Sequence, residues 1–225
     1  MSVSARARVV RVREDDWARY RQLRLSMLAD TPIAFTETLQ ASQAIDEGEW
    51  RRRARRGSAG PGAATFAAVD VDGQWVGTMG GVLERVGHAL LVSVFVAPSH
   101  RGGDVADLLL GVVLRWAREE AGAHRIRLLV HEANPRATAF YARHGFTRTG
   151  RTEAYPLDPS ALEIEMARPL PAPGPGDVAD GSRGDVRVAT SESAQGWWAI
   201  PTEDADSVRS QPAHGRAGET QERPR

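Results

Sequence analysis

The sequence is marked first by what it lacks, which is cysteine, lysine and any long apolar run. Without cysteine the chain cannot form disulfides, thiolate metal sites or a covalent acyl group on a thiol. No segment approaches the roughly 18 apolar residues of a membrane-spanning helix, and residues 1–14 lack the apolar core of a signal peptide. These absences predict a cytoplasmic protein with no metal and no membrane partner.

The charges balance, with 29 basic residues, all arginine, against 29 acidic residues. The chain therefore has no overall field that would attract nucleic acid. The arginine-rich run at residues 51–56 is a local exception, but it has no interleaved aromatic residues or glycines. We interpret it as the solvated face of a helix, and no nucleic-acid partner is expected.

The composition changes at Pro169, which opens a stretch rich in proline and glycine. Every apolar segment with a regular period lies before this point, so residues 1–170 are predicted to form one domain. Residues 171–225 have no sustained period and are typical of a disordered tail. Within this tail, Trp197-Trp198 lie in a short apolar island that is either a passively collapsed patch or a docking segment.

The first half of the chain has the patterns of strands and helices in alternation. Apolar and polar residues alternate with a period of two where a half-buried strand is predicted, and recur on one face where a helix is predicted. An Asp-Gly pair between two such strands is a strong hairpin signal. The predicted elements are a strand at 7–13, helices at 17–28 and 46–56, and hairpin strands at 65–71 and 74–84.

The longest patterned stretch has the order strand, glycine turn, helix, strand, helix. A Val-rich apolar run at residues 90–97 is typical of a strand that is buried on both faces. Apolar residues then recur on one helical face, and a second apolar run follows at 126–130. The residues predicted on the buried helical face are Val105, Leu108, Leu109, Val112, Val113 and Trp116. Asn134-Pro135 starts a further helix, with proline in its first turn. The alternation predicts an α/β domain.

The glycine turn between the first strand and helix of this stretch is a candidate anion site. Unpaired N–H groups at a helix start, and the positive end of the helix dipole, attract phosphate oxygens. Gly102 and Gly103 would let the backbone approach such a ligand closely. The alternative is a turn in which glycine only allows the chain to bend.

Two segments of the stretch resemble the signatures of the GNAT superfamily of acyl-CoA-dependent N-acetyltransferases. Residues 96–102, which read VAPSHRG, are similar to the exit of that family's fourth strand. Residues 130–146, with Asn134, Tyr141 and the closing Gly-Phe pair, are similar to its second signature at matching spacing. The resemblance implies a three-layer α/β fold with a central mixed, mostly antiparallel sheet that is splayed between its fourth and fifth strands.

The resemblance also implies how acetyl-CoA is held. The pyrophosphate is expected on the backbone amides of the phosphate loop, helped by its arginine side chain, and the pantetheine arm is expected beside the fourth strand. The alternatives are sheet core for the strand residues and a helix N-cap for the asparagine. The implied residues are Arg101, Gly102, Gly103, Asp104, Val105 and Ala106 in the phosphate loop, and Val94, Phe95, Val96 and Asn134 beside the pantetheine arm.

Asp104 departs from the family's phosphate loop, which has glycine at this position. Its carboxylate is expected to lie beside a diphosphate and to weaken coenzyme binding, although an aspartate is favourable as a helix N-cap. We therefore expect the fold to be retained and the affinity for the coenzyme to be reduced.

Tyr141 matches the tyrosine whose hydroxyl points at the coenzyme sulfur in this family, so it is the expected proton donor to the leaving thiolate. A tyrosine with an ordinary pKa of about 10 stays protonated at neutral pH. Its alternative role is that of a packed ring on an amphipathic helix. Glu84, at the end of the third strand, is the expected general base. Other candidates for the base are His131, Glu132 or a chain of water molecules, and Ser93 is a candidate to position a water. The alternative for each of these side chains, including Glu84, is a surface or hydrogen-bonded structural role.

The implied function is transfer of an acetyl group from acetyl-CoA, as co-substrate, to a primary amine by direct attack. The expected acceptor is a small molecule or a peptide N-terminus, and a homodimer is left open. One alternative is a non-catalytic module that binds acyl-CoA or a partner protein, and another is a protein that binds a different phosphorylated ligand. Ile33, Phe35 and Trp50 either shape the acceptor pocket or belong to the core.

Overall fold

The computed structural model describes residues 7–171, which form a seven-stranded sheet with helices on both faces. Within this range no helix is both long enough and apolar enough to cross a membrane. The predicted tail, including Trp197-Trp198, lies outside the described residues. The elements are β1 (Arg8–Arg11), α1 (Trp17–Asp30), α2 (Leu39–Gln43), α3 (Glu47–Arg56), β2 (Ala63–Val69), β3 (Trp75–Arg85), β4 (His88–Val96), α4 (Val105–Glu119), β5 (Arg125–His131), α5 (Pro135–Arg143), β6 (Thr147–Tyr155) and β7 (Asp158–Pro169).

The sheet has the strand order β1-β2-β3-β4-β5-β7-β6, and β4 with β5 is its one parallel pair in the described chain. Their pairing is short, because His88–Leu90 pair with Arg125–Arg127 and the ladder then stops. Beyond that point β4 remains paired with β3, while β5 remains paired with β7 as far as the pair His131–Glu163. The two central strands therefore diverge, which confirms the predicted fold and the splay between the fourth and fifth strands.

The largest apolar core lies between the sheet and the layer of α4 and α5. Trp116 of α4 is buried against β3, and Gly81 makes this contact possible, because a Cβ at Gly81 would overlap the indole ring. Tyr141 of α5 belongs to the same core. On the opposite face α1 contacts β3 and α3 contacts β2, with Phe35 and Trp50 buried there. The three-layer arrangement brings α5 and α1 to opposite sides of the splay.

A β-bulge interrupts β4 at Ser93. Ser93 and Val94 together oppose Met79 of β3, and Ser93 has a φ of 54°, in the left-handed region. The extra residue shifts the alternation of side chains along the strand. Val94 then packs on the side of α4, while Phe95 packs against α1. The bulge therefore sets which side chains of β4 face each side of the splay.

A buried ion network joins α1, α3 and the segment between them. Glu37 accepts hydrogen bonds from Arg24 at 3.0 Å and from Arg53 at 2.9 Å, and Arg53 also bonds to Glu49. The interpretation of the arginine run as a solvated face is therefore wrong for Arg53, which is 5% exposed. Its charge is tolerated inside because carboxylates surround it. The network fixes the helical layer opposite α5.

Candidate active site

Two cavities meet at the splay between β4 and β5. The larger, of about 800 Å³, extends from the phosphate loop along the end of β4 and beside α5. The smaller, of about 140 Å³, lies between the diverging halves of β4 and β5 and reaches Glu163 on β7. The side chains or backbone that line both cavities belong to Ala34, Val94, Asn134, Ala137 and Tyr141. The junction therefore gives two ligands access to one point.

The phosphate loop has the backbone conformation that an anion site needs. Gly102 has a φ of 84°, which favours glycine, whereas Asp104 has ordinary helical angles of −85° and −6°. Asp104 is the N-cap residue of α4, but its exposed carboxylate makes no capping hydrogen bond. The amides at this helix start have no partner within the helix and are available to a ligand. The glycine that the conformation requires is thus Gly102, and the backbone at Asp104 does not require one.

The side chain of Arg101 is engaged within the protein. Its Nε donates to the Val96 carbonyl at 2.8 Å, and its guanidinium forms an ion pair with Asp30 at the end of α1. Burial alone raises the pKa of Asp30, but hydrogen bonds from Thr31 and Arg101 outweigh it and hold the pKa below its ordinary value. Arg101 still lines the larger cavity, with part of its charge compensated.

Further basic side chains give the larger cavity an excess of positive charge. Arg136 and Arg143 of α5 line it, together with His144, whose Nε2 lies 2.9 Å from Asp107. Arg136 and Arg143 were not predicted from the sequence as site residues. Their spacing of two helical turns indicates that they share one face of α5, and this is the sequence feature that could have identified them. An anionic ligand such as a nucleotide phosphate matches this charge.

Val94, Phe95 and Val96 follow the point at which β4 loses its pairing with β5. Their backbone groups on that side face the larger cavity rather than a strand, so an extended ligand with amide groups can pair with them. Asn134 caps α5 through its side-chain oxygen, which accepts from Ala137 N–H at 3.1 Å. Because the cap uses the oxygen, the side-chain NH2 can still donate to a ligand, so both predicted roles of Asn134 are compatible.

Tyr141 lies at the junction and lines both cavities. Its ring packs against Phe140 and Phe146, while its hydroxyl has no hydrogen-bond partner among residues 7–171. Burial raises the pKa of the phenol, so it stays protonated well above neutral pH. A protonated hydroxyl with no other partner is suited to donate to a developing anion.

Glu84 is placed away from this junction. Its carboxylate accepts two hydrogen bonds from Arg127, at 2.6 and 2.8 Å, and it lines neither of the two cavities. Glu132 is exposed and accepts from Leu162 N–H at 2.9 Å. The general base expected at Glu84 stays a prediction, and this geometry gives it no support, because the carboxylate is already bonded to a cation.

Glu163 is the acidic group at the smaller cavity, and sequence reasoning did not identify it. It is 8% exposed, and burial, with the nearby charge of Glu153, raises the pKa of its carboxyl to about 7. His131 faces it across β5 and β7 and also lines the cavity. In the sequence of β7, glutamates alternate with apolar residues. This alternation predicts that one face of the strand is polar, but it does not show that this face borders a cavity.

Comparison with known proteins identifies the family. A family model described as "Acetyltransferase (GNAT) family" matches residues 24–146, more than half of the chain. Mycothiol acetyltransferase from Salinispora tropica is 34% identical over 120 residues, which cover 50% of this chain and 39% of that protein. The chain thus spans about two fifths of the length of this curated relative.

Solved structures share the fold. A GNAT-family acetyltransferase from Streptococcus pneumoniae aligns with a TM-score of 0.61 at 14% identity, over 73% of this chain and 99% of that one. A phosphinothricin acetyltransferase from Sinorhizobium meliloti, solved in complex with acetyl-CoA, aligns with a TM-score of 0.58 at 18% identity, over 77% and 96% of the two chains. Because the family model also matches the segment that holds both signatures, the chain belongs to the acetyltransferase (GNAT) family, which confirms the resemblance seen in its sequence.

Proposed function

We propose that this protein transfers an acetyl group from acetyl-CoA to the primary amine of a small molecule by direct attack. The observation that carries the proposal is the junction of the two cavities at the splay, with Tyr141 lining both. One cavity has the size and charge for the coenzyme, and the other has room only for a small group.

The larger cavity fits the parts of coenzyme A. Its volume of about 800 Å³ lies within the usual range for pockets that enclose whole ligands. The amides from Gly102 to Ala106 would hold the pyrophosphate, and Arg136 and Arg143 supply positive charge nearby. The free edge of β4 beyond Leu90 would hold the amide-bearing arm. These residues fit the coenzyme without any change of the fold.

Acetyl-CoA would supply the acetyl thioester, and the residues of this chain would hold and activate the reactants. A backbone N–H at the β4 bulge would polarise the thioester carbonyl, and the Tyr141 hydroxyl would donate its proton to the departing sulfur. The chain contains no cysteine to carry the acetyl group. Attack of the amine on the thioester itself is therefore the step that these residues support.

The alternative is a module that binds acyl-CoA or a partner protein without catalysis. Two observations favour weakened coenzyme binding: Asp104 places a carboxylate without a capping hydrogen bond at the phosphate loop, and Asp30 compensates part of the charge of Arg101. This alternative predicts binding, or no binding, with no turnover for any amine.

Calorimetric titration with acetyl-CoA, followed by a thiol-release assay with a panel of amines, tests the proposal. Binding with amine-dependent thiol release supports the transferase, and a matching acetylated amine identified by mass spectrometry completes the evidence. Binding without release by any amine would favour the non-catalytic module. The absence of detectable binding would contradict the transferase and would leave only the partner-binding form of the alternative.

A further inference from the structure

Four glutamates are buried among residues 7–171, and three of them are paired with arginine. Glu37 bonds to Arg24 and Arg53, Glu49 to three arginines of α3, and Glu165 to Arg127. Glu163 is the exception, since its carboxylate has no hydrogen bond or ion pair with any described residue. Burying a carboxylate without a partner is costly, so the position of Glu163 at a cavity points to a partner outside residues 7–171, such as a bound ligand.

Glu163 reaches the smaller cavity from the face of the sheet opposite α5. Along β7, Ile164 and Met166 pack in the core under α4 and α5, so Glu163 and Glu165 face the other way. Tyr141 reaches the same cavity from the α5 face. A ligand between them would have a carboxylate on one side and a phenol on the other, which is the arrangement needed to remove one proton and deliver another.

The hydrogen bonds of the neighbouring Tyr155 and His131 make them unsuitable as proton acceptors, which leaves this role to Glu163. Tyr155 is already committed, because its hydroxyl donates to the Phe35 carbonyl at 2.8 Å. The Nδ1 of His131 accepts from Ala133 N–H at 3.1 Å, so the neutral ring carries its proton on Nε2 and has no free acceptor nitrogen. The other charged groups near Glu163 are Glu153 on β6, Glu165 on β7, and Arg127 on β5, whose guanidinium contacts both of those glutamates.

The lining of the smaller cavity limits what can bind there. Apolar side chains, among them Leu90, Val92 and Leu129, form most of it, and no arginine lines it within the described residues. A carboxylate on the acceptor would therefore face Glu163 with no arginine among the described lining residues to compensate it. The volume of about 140 Å³ is close to that of a cavity that holds one benzene ring, so only a short chain fits.

We propose that Glu163 is the general base that deprotonates the acceptor, and that the acceptor is a small aliphatic primary amine without a carboxylate beside its nitrogen. This inference rests on the proposed acetyl transfer. The ammonium group enters from the face opposite α5 and pairs with the Glu163 carboxylate, which supplies the missing partner of that buried group.

Glu163 takes one proton from the ammonium, and the nitrogen lone pair attacks the thioester carbon. A C–N bond forms and the C–S bond breaks, with the electron pair leaving on sulfur. Tyr141 donates its proton to that sulfur, and the nitrogen loses its second proton as the amide forms, which restores the phenol through solvent. The products are the N-alkylacetamide, free coenzyme thiol and one proton that Glu163 releases to solvent.

The test is the variant Glu163→Gln, which keeps the shape of the side chain and removes its basicity. Thiol release is measured between about pH 5.5 and 9 with n-butylamine, 1,4-diaminobutane and glycine as acceptors. Wild type is expected to use the two alkylamines in preference to glycine, with kcat/KM rising through an apparent pKa of about 7. Glu163→Gln is expected to lose about 10²-fold or more in kcat/KM and to lose this rise.

Glu165→Gln is the matched control, because Glu165 lies on the same strand and face but is paired with Arg127. It should keep the rate and the pH profile, and all three proteins should bind acetyl-CoA with equal affinity, which shows that they are folded. If Glu163→Gln kept the rate and the pH profile of wild type, Glu163 would not be the general base. If wild type preferred glycine, the proposed class of acceptor, an amine without a carboxylate, would be wrong. Bound acetyl-CoA without turnover of any amine by wild type would overturn the proposed function, and this inference with it.

Discussion

The guanidinium of Arg101 is paired with the carboxylate of Asp30, 71 residues earlier in the chain. The pair ties the phosphate loop to the end of α1, and the segment that follows Asp30 lines both cavities. It also compensates part of the charge that Arg101 was expected to offer to a diphosphate. The backbone amides of the loop, rather than this side chain, should therefore supply most of the affinity for the pyrophosphate.

Asp104→Asn is expected to tighten the binding of acetyl-CoA. The exposed carboxylate and a diphosphate about 5 Å away repel by roughly 1 kcal/mol in water, which corresponds to about a five-fold change in Kd. Calorimetry at two salt concentrations measures this, and the difference between the proteins should shrink at high salt.

Asp104→Gly is the second variant at this position. Because the φ of Asp104 is −85°, glycine offers no conformational advantage, and this variant should bind acetyl-CoA as Asp104→Asn does. The missing capping bond also predicts little loss of stability in either variant. Much tighter binding by the glycine variant alone would show that the backbone, and not the charge, limits affinity.

Tyr141→Phe should lower kcat by about 10²-fold or more while it leaves the affinity for acetyl-CoA nearly unchanged. The hydroxyl has no partner among the described residues, so its removal breaks no internal bond, and the ring keeps its contacts with Phe140 and Phe146. Single-turnover measurement of thiol release checks the chemical step directly. Equal rates in the two proteins would remove Tyr141 from the mechanism.

Glu163→Gln should make the protein more stable than wild type at high pH. The pKa of Glu163 rises from 4.5 to about 7 on folding, so the folded state binds more protons and wild type loses stability as the pH rises between these values. At 1.36 kcal/mol for each pKa unit the loss is roughly 3 kcal/mol above pH 7 and absent below pH 4.

Urea unfolding of wild type and Glu163→Gln at pH 4, 6 and 8 measures this difference. The free energy of unfolding of the variant should increase relative to that of wild type at each step upward in pH. A constant difference across the series would mean that the carboxyl titrates normally and that its surroundings are wetter than the structure indicates.

Gly81→Ala should destabilise the fold by about 1–3 kcal/mol, because the new methyl group would overlap the ring of Trp116. Gly111→Ala is the matched control within the helix that carries Trp116. A Cβ at Gly111 meets nothing within 4 Å, and alanine in a helix interior stabilises by about 0.5–1 kcal/mol. Thermal unfolding of both variants should therefore give shifts of opposite sign, and equal shifts would contradict the packing described for α4.

Helix α4 illustrates the limit of prediction from periodicity. Its apolar spacing correctly predicted a helix that packs on the sheet, with Leu109, Val113 and Trp116 buried. The same pattern placed Leu108 inside, yet Leu108 is 37% exposed and Leu110 is buried in its place. A stripe of apolar residues defines a face to within about one position, and the neighbouring elements decide which of its edges is covered.

The amino-acid sequence by itself determined the order of elements, the splayed α/β sheet, the glycine turn before α4, the cap at Asn134 and the family. The order of elements, the glycine turn and the cap depend on residues close together in the chain, through periodicity, backbone freedom and hydrogen bonds within a few positions. The splay and the family were implied by the resemblance of two short segments to the GNAT signatures. Only the tertiary structure decided that Glu84 is bonded to Arg127, 43 residues away, and that Glu163 has no arginine partner within residues 7–171. Whether a carboxylate can act as a base depends on its partners and its burial, and the sheet brings those together from distant segments.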